Sequence, residues 1–256
     1  MMKNAVVLGA TTQVGFALCQ YLIDKEVEVT GLVWSEKMDG KSEEMLMEIG
    51  RNAFFSSQSE RFSNQSIDAV FYCLDEIDNV DEKEQKQYVD LAEHAKKLVF
   101  ISSYGKFAWN REFRQQVMSK LSGSEDQSYC AIYLPMVYGP WQHEEESVHK
   151  RLLEELEQKE SVPMAIKEQD VLFVEDVAEA IYNFLIRNEN VKEVLFENDN
   201  SRALEELIKE LNLTSLTIVE PEEVKKFTKY KVPQHHTIKE GIQAQRDQLN
   251  HRLKIE

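Results

Sequence analysis

The segment Gly9-Ala10-Thr11-Thr12-Gln13-Val14-Gly15 constrains this chain more than any other. It follows a short apolar run, Ala5-Val6-Val7-Leu8, which reads as a buried parallel strand. It leads into Val14 to Lys25, where Val14, Leu18, Leu22 and Ile23 fall on one helical face. A strand, a glycine turn and a helix in that order form the setting of a dinucleotide fingerprint. Gly9 permits the tight turn out of the strand, and Gly15 lets the helix lie close to the sheet. Backbone N–H groups at the helix start, reinforced by the helix dipole, suit a pyrophosphate. Thr11 or Thr12 adds a hydroxyl donor. On this reading Gly9, Thr11, Thr12, Gln13, Val14 and Gly15 cradle the phosphates.

The rest of the first half alternates in the same way. Strands are expected at Val27 to Trp34, Ala53 to Phe55, Ile67 to Leu74, Leu98 to Ser102 and Tyr129 to Leu134. Helices are expected at Asp39 to Ile49, Glu84 to Lys97 and Arg111 to Leu121. Such alternation marks an α/β chain with a Rossmann-type, doubly wound parallel sheet. Further on, Glu145 to Lys159 reads as an acidic, solvated helix, Val171 to Val174 as a strand and Glu175 to Arg187 as a helix. Val194 to Phe196 and Leu216 to Val219 read as strands, and Ala203 to Leu211 and Ile238 to Leu253 as helices. The 256 residues fit a single domain, in which the part from about residue 141 contributes a small C-terminal substrate-binding lobe over the sheet's carboxyl edge.

Composition narrows the function. A formal net charge of −16 repels phosphate backbones and anionic membranes, so nucleic acid and membrane are not expected partners. Cys19, Cys73 and Cys130 lie far apart in apolar stretches and read as buried thiols of a reducing compartment. No apolar run is long enough to span a bilayer, and the N-terminus runs directly into the turn motif, so a cytoplasmic protein is expected.

Several later segments join the turn in resembling the extended short-chain dehydrogenase/reductase family, whose members include NAD-dependent epimerases and dehydratases. These relatives carry Gly-x-x-Gly-x-x-Gly at the first turn, and this chain resembles that motif with Thr12 at the middle glycine. Phe100-Ile101-Ser102-Ser103-Tyr104-Gly105 resembles the strand-five segment, with a shortened loop before Tyr-Gly. Leu134-Pro135-Met136-Val137-Tyr138-Gly139-Pro140 resembles the segment that opens the substrate-binding part, with Tyr133 where an arginine usually stands. Phe173 to Ala180 and Thr237 to Ile242 resemble two later family segments, with Asp176 as a helix cap or first-turn acid. The resemblance implies NAD or NADP as cofactor and a small-molecule ligand of the nucleotide-sugar class, and it is compatible with a homodimer.

It also exposes departures. An acid after the second strand usually meets the adenosine ribose. Here that place holds Trp34-Ser35-Glu36-Lys37, where Trp34 could stack on adenine and Glu36 or Lys37 could reach the ribose, so NAD versus NADP stays open. After the fourth strand, small residues are replaced by Cys73-Leu74-Asp75-Glu76. Two carboxylates beside a pyrophosphate weaken its binding, as does the lost middle glycine.

The family's chemistry needs a Tyr-x-x-x-Lys pair on one helical face, the lysine orienting the nicotinamide ribose and lowering the tyrosine pKa. The matching stretch here is Gln116-Val117-Met118-Ser119-Lys120. Lys120 is kept, and Ser103 takes the catalytic serine position. The tyrosine is replaced by an amide, which cannot act as an acid or base at neutral pH. Tyr104 and Tyr138 are the candidate substitutes, while the literal Tyr21 to Lys25 match lies away from the strand ends that bind ligands. His235-His236 lacks a third metal ligand, and no nucleophile elbow or P-loop is present. Three readings follow: an epimerase-like NAD(P)-binding protein without ordinary proton transfer, a silent dinucleotide or sugar-nucleotide sensor or partner subunit, and an enzyme using Tyr104 or Tyr138.

Overall fold

In the computed structural model the described residues are 2–34, 39–57, 66–75, 82–104, 111–121, 127–159, 164–166, 169–187, 191–215 and 227–254. Backbone contacts divide the chain into two units, Met1–Tyr133 with Ile181–Val194, and Leu134–Ala180 with Leu195–Glu256.

The first unit is built on strands β1 (Asn4–Leu8), β2 (Glu28–Leu32), β3 (Phe55–Ser56), β4 (Ile67–Cys73), β5 (Ala95–Ser103) and β6 (Ser128–Leu134), in the order β6-β5-β4-β1-β2-β3. Val6 of β1 stands between Thr30 and Val70 in parallel register, and β2–β3 and β4–β5 are parallel as well. Residues Ala5 to Leu8 are buried on both sides, as a covered parallel strand must be. The chain steps outward from β1 through β2 to β3, then returns to β4 on the other side of β1. That reversal creates the crevice where such sheets bind ligands, outside the carboxyl ends of the strands. The doubly wound α/β architecture expected from the sequence is therefore present.

Helices α1 (Gln13–Asp24), α2 (Gly40–Ile49), α3 (Glu82–Asp90) and α4 (Arg111–Ser119) connect these strands. Helix α1 ends one residue before the expected Lys25, because Glu26 takes a left-handed turn at φ 58°. Asp39 caps α2 by accepting the Ser42 N–H at 2.7 Å. The helix expected from Glu84 to Lys97 is a correction. It stops at Asp90, tightens into a 3-10 turn at Leu91–His94, and gives way to β5 at Ala95. Ala95 and Lys97 are drawn into register with Ile67 and Ala69 of β4, and the ladder outweighs local helical preference. The third strand is likewise shifted, to Phe55–Ser56, where it pairs with Val29 and Thr30.

The second unit contains β7 (Met136–Tyr138) and β9 (Val171–Phe173), paired in parallel, and β8 (Ala165–Ile166) paired with β11 (Thr214–Ser215). Most of these strands have only two or three residues, too few for a periodic signal. It also contains β12 (Thr228–Val232) and helices α5 (Ser147–Leu156), α7 (Ala203–Glu210) and α8 (Ile238–Arg252). Helix α6 (Val174–Arg187) and strand β10 (Glu193–Asn198) each contribute residues to both units. Thr237 and Glu240 close a reciprocal capping box at the start of α8. Helix α5 corrects the solvated-helix expectation, since Val148, His149, Arg151 and Leu152 bury one of its faces. The strand expected at 216–219 falls outside the described residues.

Two features of the first unit generate expectations for stability. A Cβ on Gly15 would stand 2.0 Å from the Gly9 carbonyl oxygen, so helix and strand could not both keep their places. Gly15→Ala is expected to lower unfolding free energy by about 1–3 kcal/mol, measured as a reduced denaturant midpoint with unchanged slope. At the opposite end of the strands, Asp68 accepts the Lys3 N–H at 2.8 Å and the Lys96 ammonium at 2.6 Å. Burial would raise its pKa, but these donors together hold it below the ordinary carboxylate value. A lowered folded pKa gives stability that is present above the unfolded value of about 3.9 and lost as pH falls through the folded one. Asp68→Asn should therefore cost about 1 kcal/mol at neutral pH, discounted for partial exposure, and the gap to wild type should close below about pH 4. Urea titrations across that range check this.

Candidate functional site

The β1–α1 turn is held from within. The Gly9 and Ala10 N–H groups both donate to the Leu32 carbonyl, at 2.8 and 2.9 Å, which fixes the turn against the end of β2. Gly9 has φ 81°, a left-handed conformation that glycine adopts without strain. Thr12, at the family's middle glycine, is buried rather than facing a ligand. Its hydroxyl donates to the Gly9 carbonyl at 2.8 Å and accepts the Gly15 N–H at 3.1 Å. It thus caps α1, and one of the helix-start N–H groups is already satisfied by the chain itself. Thr11 and Gln13 are half-buried, and Val14 is buried.

Trp34 leaves the end of β2 and turns over this loop. Its indole N–H donates to the Cys73 carbonyl at the end of β4, at 2.7 Å. The ring therefore crosses the carboxyl end of β1, which lies between β2 and β4. A Cβ placed on Gly9 would stand 2.6 Å from the indole nitrogen. Two rings meet the indole edge-to-face, Tyr88 of α3 at 5.5 Å and Phe113 of α4 at 5.7 Å. The Tyr88 hydroxyl donates to the Val33 carbonyl at 2.8 Å, and the Tyr72 hydroxyl donates to the Tyr88 carbonyl at 3.0 Å. Only 6% of Trp34 remains exposed. Sequence reasoning placed Trp34 at the crevice but not its partners. Glu36, Lys37, Glu76 and Gly105 fall outside the described residues.

The ends of β4 and β5 are tied together next to this cluster. Leu74 N–H donates to the Ile101 carbonyl, and the Asp75 carboxylate accepts the Ser103 N–H, both at 2.8 Å. Asp75 therefore serves as a local acceptor that fixes the Ser103 backbone. Ser103 and Tyr104 are half-buried.

Gln116 and Lys120 are drawn to neighbouring elements. The Gln116 side-chain oxygen accepts from the Gln85 amide of α3 at 3.0 Å. Lys120 follows the end of α4, and its ammonium pairs with Asp90 at 2.9 Å and Glu93 at 3.0 Å. The hydrogen bonds it donates to these two carboxylates raise its pKa. Phe113 and Val117 form the buried face of α4, and Gln116 is exposed. Tyr133, at the expected arginine position, is bonded by the Arg114 guanidinium and donates to Glu193 at 3.2 Å. In α1, the Lys25 ammonium lies over the Tyr21 ring at 4.9 Å.

The second unit places Tyr138 in its core at 1% exposure, against Phe173 at 5.5 Å. Its hydroxyl has no hydrogen-bond partner among the described residues. Burial, then the nearby Asp176 charge, pushes the phenol pKa up. Asp176 lies in the first turn of α6, as expected, and bonds the His236 ring nitrogen at 2.6 Å. The His236 ring packs on Phe173 at 4.8 Å and faces Glu175 at 3.5 Å. His235 faces Glu179 at 3.9 Å. This Asp176–His236 pair was not visible in the sequence, because 60 residues separate its members.

Comparison with known proteins agrees with this architecture. A curated relative, an uncharacterized protein YjaV of Bacillus subtilis strain 168, is 23% identical over 201 residues, covering 77% of this chain and 84% of that one. Among solved structures, the UDP-glucuronic acid 4-epimerase of Bacillus cereus in complex with NAD superposes with a TM-score of 0.69 at 14% identity, covering 97% of this chain and 99% of the other. The dTDP-glucose 4,6-dehydratase of Bacillus anthracis in complex with NAD gives 0.66 at 13% identity, covering 98% of each chain. At these identities the likeness carries the fold. The family model for the NAD dependent epimerase/dehydratase family matches residues 5–197. Three quarters of the sequence lie in that match, and the chain belongs to the NAD dependent epimerase/dehydratase family.

Proposed function

We propose that this chain is a catalytically silent member of its family, a small-molecule-binding protein of the nucleotide-sugar type that does not perform the family's proton transfer. The observation that carries the reading is the pair at the Tyr-x-x-x-Lys position. Gln116 has no titratable group, and the Lys120 ammonium is engaged by Asp90 and Glu93. Losing general acid–base help typically costs about 100- to 10,000-fold in rate.

Replacement by another tyrosine is disfavoured on chemical grounds. A general acid works best with a pKa near the working pH, and burial moves Tyr138 in the opposite direction. Tyr104, half-buried at the end of β5, is the remaining phenol at the strand ends that the sequence reading named.

NAD is the cofactor of the family. The backbone of Gly9, Thr11, Thr12, Gln13, Val14 and Gly15 suits a pyrophosphate, with Ser103 and Lys120 toward the nicotinamide end. Trp34, buried over Gly9, stands on the adenosine side of that turn. With Trp34 there, the residues present do not fit a whole dinucleotide, and no step of this reading runs through one. The ligand is instead assigned to the C-terminal part from about residue 141, and its class to nucleotide sugars. This assignment draws on the sequence segment Leu134 to Pro140 and on solved neighbours that hold UDP-glucuronic acid or UDP-glucose.

Two measurements test this. Purified chain supplied with NAD or NADP and UDP-glucose or UDP-glucuronic acid is expected to give no change in reduced-nicotinamide absorbance and no new sugar resonances. Gln116→Tyr should restore at most part of the activity, because Lys120 is held by two carboxylates. Robust wild-type turnover that survives Gln116→Ala and dies in Tyr104→Phe would overturn the silent reading and make Tyr104 the acid. Calorimetry with the same UDP-sugars, without dinucleotide, is expected to show saturable binding. Its absence across the panel would remove the ligand assignment.

A further inference from the structure

We propose that Trp34 is a built-in plug of the Rossmann crevice: its indole occupies the seat of an adenosine, so the first unit keeps its cleft filled without a dinucleotide. This deepens the silent reading, yet it concerns binding rather than turnover and stands or falls separately.

In an open α/β sheet the ligand lies outside the carboxyl ends of the strands, at the point where strand order reverses. Here that point is the end of β1, between β2 and β4. The first glycine of the turn allows the chain to leave the strand tightly, and the end of the second strand normally meets the adenosine ribose. Trp34 starts at the end of β2 and bonds Cys73 at the end of β4, so its ring lies across this seat. The indole nitrogen would stand 2.6 Å from a Cβ on Gly9, so no second planar ring can slide between them.

The indole is also fixed in place. A tryptophan waiting to stack on a ligand would present a free face and an exposed edge. Trp34 is buried, its N–H is satisfied, and rings from α3 and α4 close on it at nearly perpendicular angles of 85° and 82°. The bond from Tyr88 to Val33 locks the chain segment from which Trp34 departs. The phosphate side is altered as well. Thr12 takes the Gly15 N–H as its own cap, and the Asp75 carboxylate at the end of β4 adds a negative charge beside the crevice. An aromatic ring, a hydroxyl and a carboxylate thus replace three things a dinucleotide would need there: space, a donor and a tolerant field.

The plug also predicts what would refill its place. Removing the indole leaves an aromatic-walled slot lined by the Cys73 backbone carbonyl that had accepted its N–H. Such a slot suits the edge of a purine, whose exocyclic amine can donate to that carbonyl as the indole did. Adenosine and ADP-ribose are therefore the probes.

Calorimetry and two-dimensional NMR of the ¹⁵N-labelled indole groups test the proposal, with the Trp34 signal assigned by its loss in Trp34→Phe. Wild type is expected to show no saturable binding of NAD, NADP, ADP-ribose or adenosine below millimolar concentration. Its Trp34 N–H should exchange slowly and stay unmoved by these ligands. Trp34→Ala should bind adenosine at least about tenfold more tightly than wild type. Trp34→Phe, which keeps a ring but loses the N–H donor, should remain closed to adenosine and exchange no slower elsewhere in the cluster. Micromolar NAD binding to wild type, with or without a shift of the Trp34 signal, would overturn the plug even if no turnover occurred. If Trp34→Ala does not fold, the wild-type titration and exchange data alone decide it.

Discussion

The contact between the Gly9 carbonyl and Gly15 governs the first unit. With no Cβ on either residue, α1 begins directly against the end of β1, and a methyl group at position 15 would have nowhere to go. Close docking at one end of α1 accompanies burial of eight of its twelve residues, including Phe16, Leu18, Cys19 and Leu22. It also puts Thr12 within reach of both the Gly9 carbonyl and the Gly15 N–H, so the turn is stabilised by its own hydroxyl. The same compact turn exposes the backbone over which the Trp34 indole lies.

On the function proposed above, the family fold and the family chemistry have separated in this chain. Fold demands small residues where backbones approach, apolar strands at the centre, and caps at helix ends, and these are kept. Chemistry demands a phenol beside a free ammonium and open space over the turn. Here the ammonium of Lys120 neutralises Asp90 and Glu93, an amide pair joins Gln116 to Gln85, and aromatic rings occupy the crevice. Each replacement satisfies a local physical need. Pairing the Lys120 charge with Asp90 and Glu93 reduces repulsion in an acidic chain, and packed rings bury apolar surface that an empty cleft would leave wet.

The second unit shows a parallel arrangement around Asp176. Desolvation raises the pKa of its carboxyl group, while the His236 hydrogen bond works against that shift. The imidazole in turn rests on Phe173, which packs against Tyr138. Gly241 of α8 is required here because a Cβ would stand 2.6 Å from the Tyr138 hydroxyl. The N-cap Thr237 directly follows His236 and its box with Glu240 starts α8 at Ile238, so the histidine's position is fixed from both sides.

Local patterns carried most of the architecture. Apolar runs, helical stripes and the Gly9–Gly15 spacing depend on neighbours within a few residues, and they mark β1, α1, α2, β4, α4, β6, α7 and α8 in the sequence. Where a helical pattern competed with a sheet ladder, as at Ala95 to Lys97, the ladder won and the boundary moved. Short bridges such as β8 and β11 carry no period and were invisible. The candidate site was legible as a list of residues, since Gly9, Thr12, Trp34, Asp75, Ser103, Gln116 and Lys120 are all apparent as motif matches or departures. Their partners were not. Trp34 meets Cys73 across 39 residues and Lys120 meets Glu93 across 27, pairings that exist only once the sheet has brought distant strand ends together. The sequence by itself determined that a strand, glycine turn and helix of the dinucleotide type would form and that Gln116 stands four residues before Lys120, because both are properties of residues close in the chain. Only the tertiary structure decided that the turn lies under the chain's own tryptophan, because the direction of a side chain at a strand end is set by what the other strands place beside it.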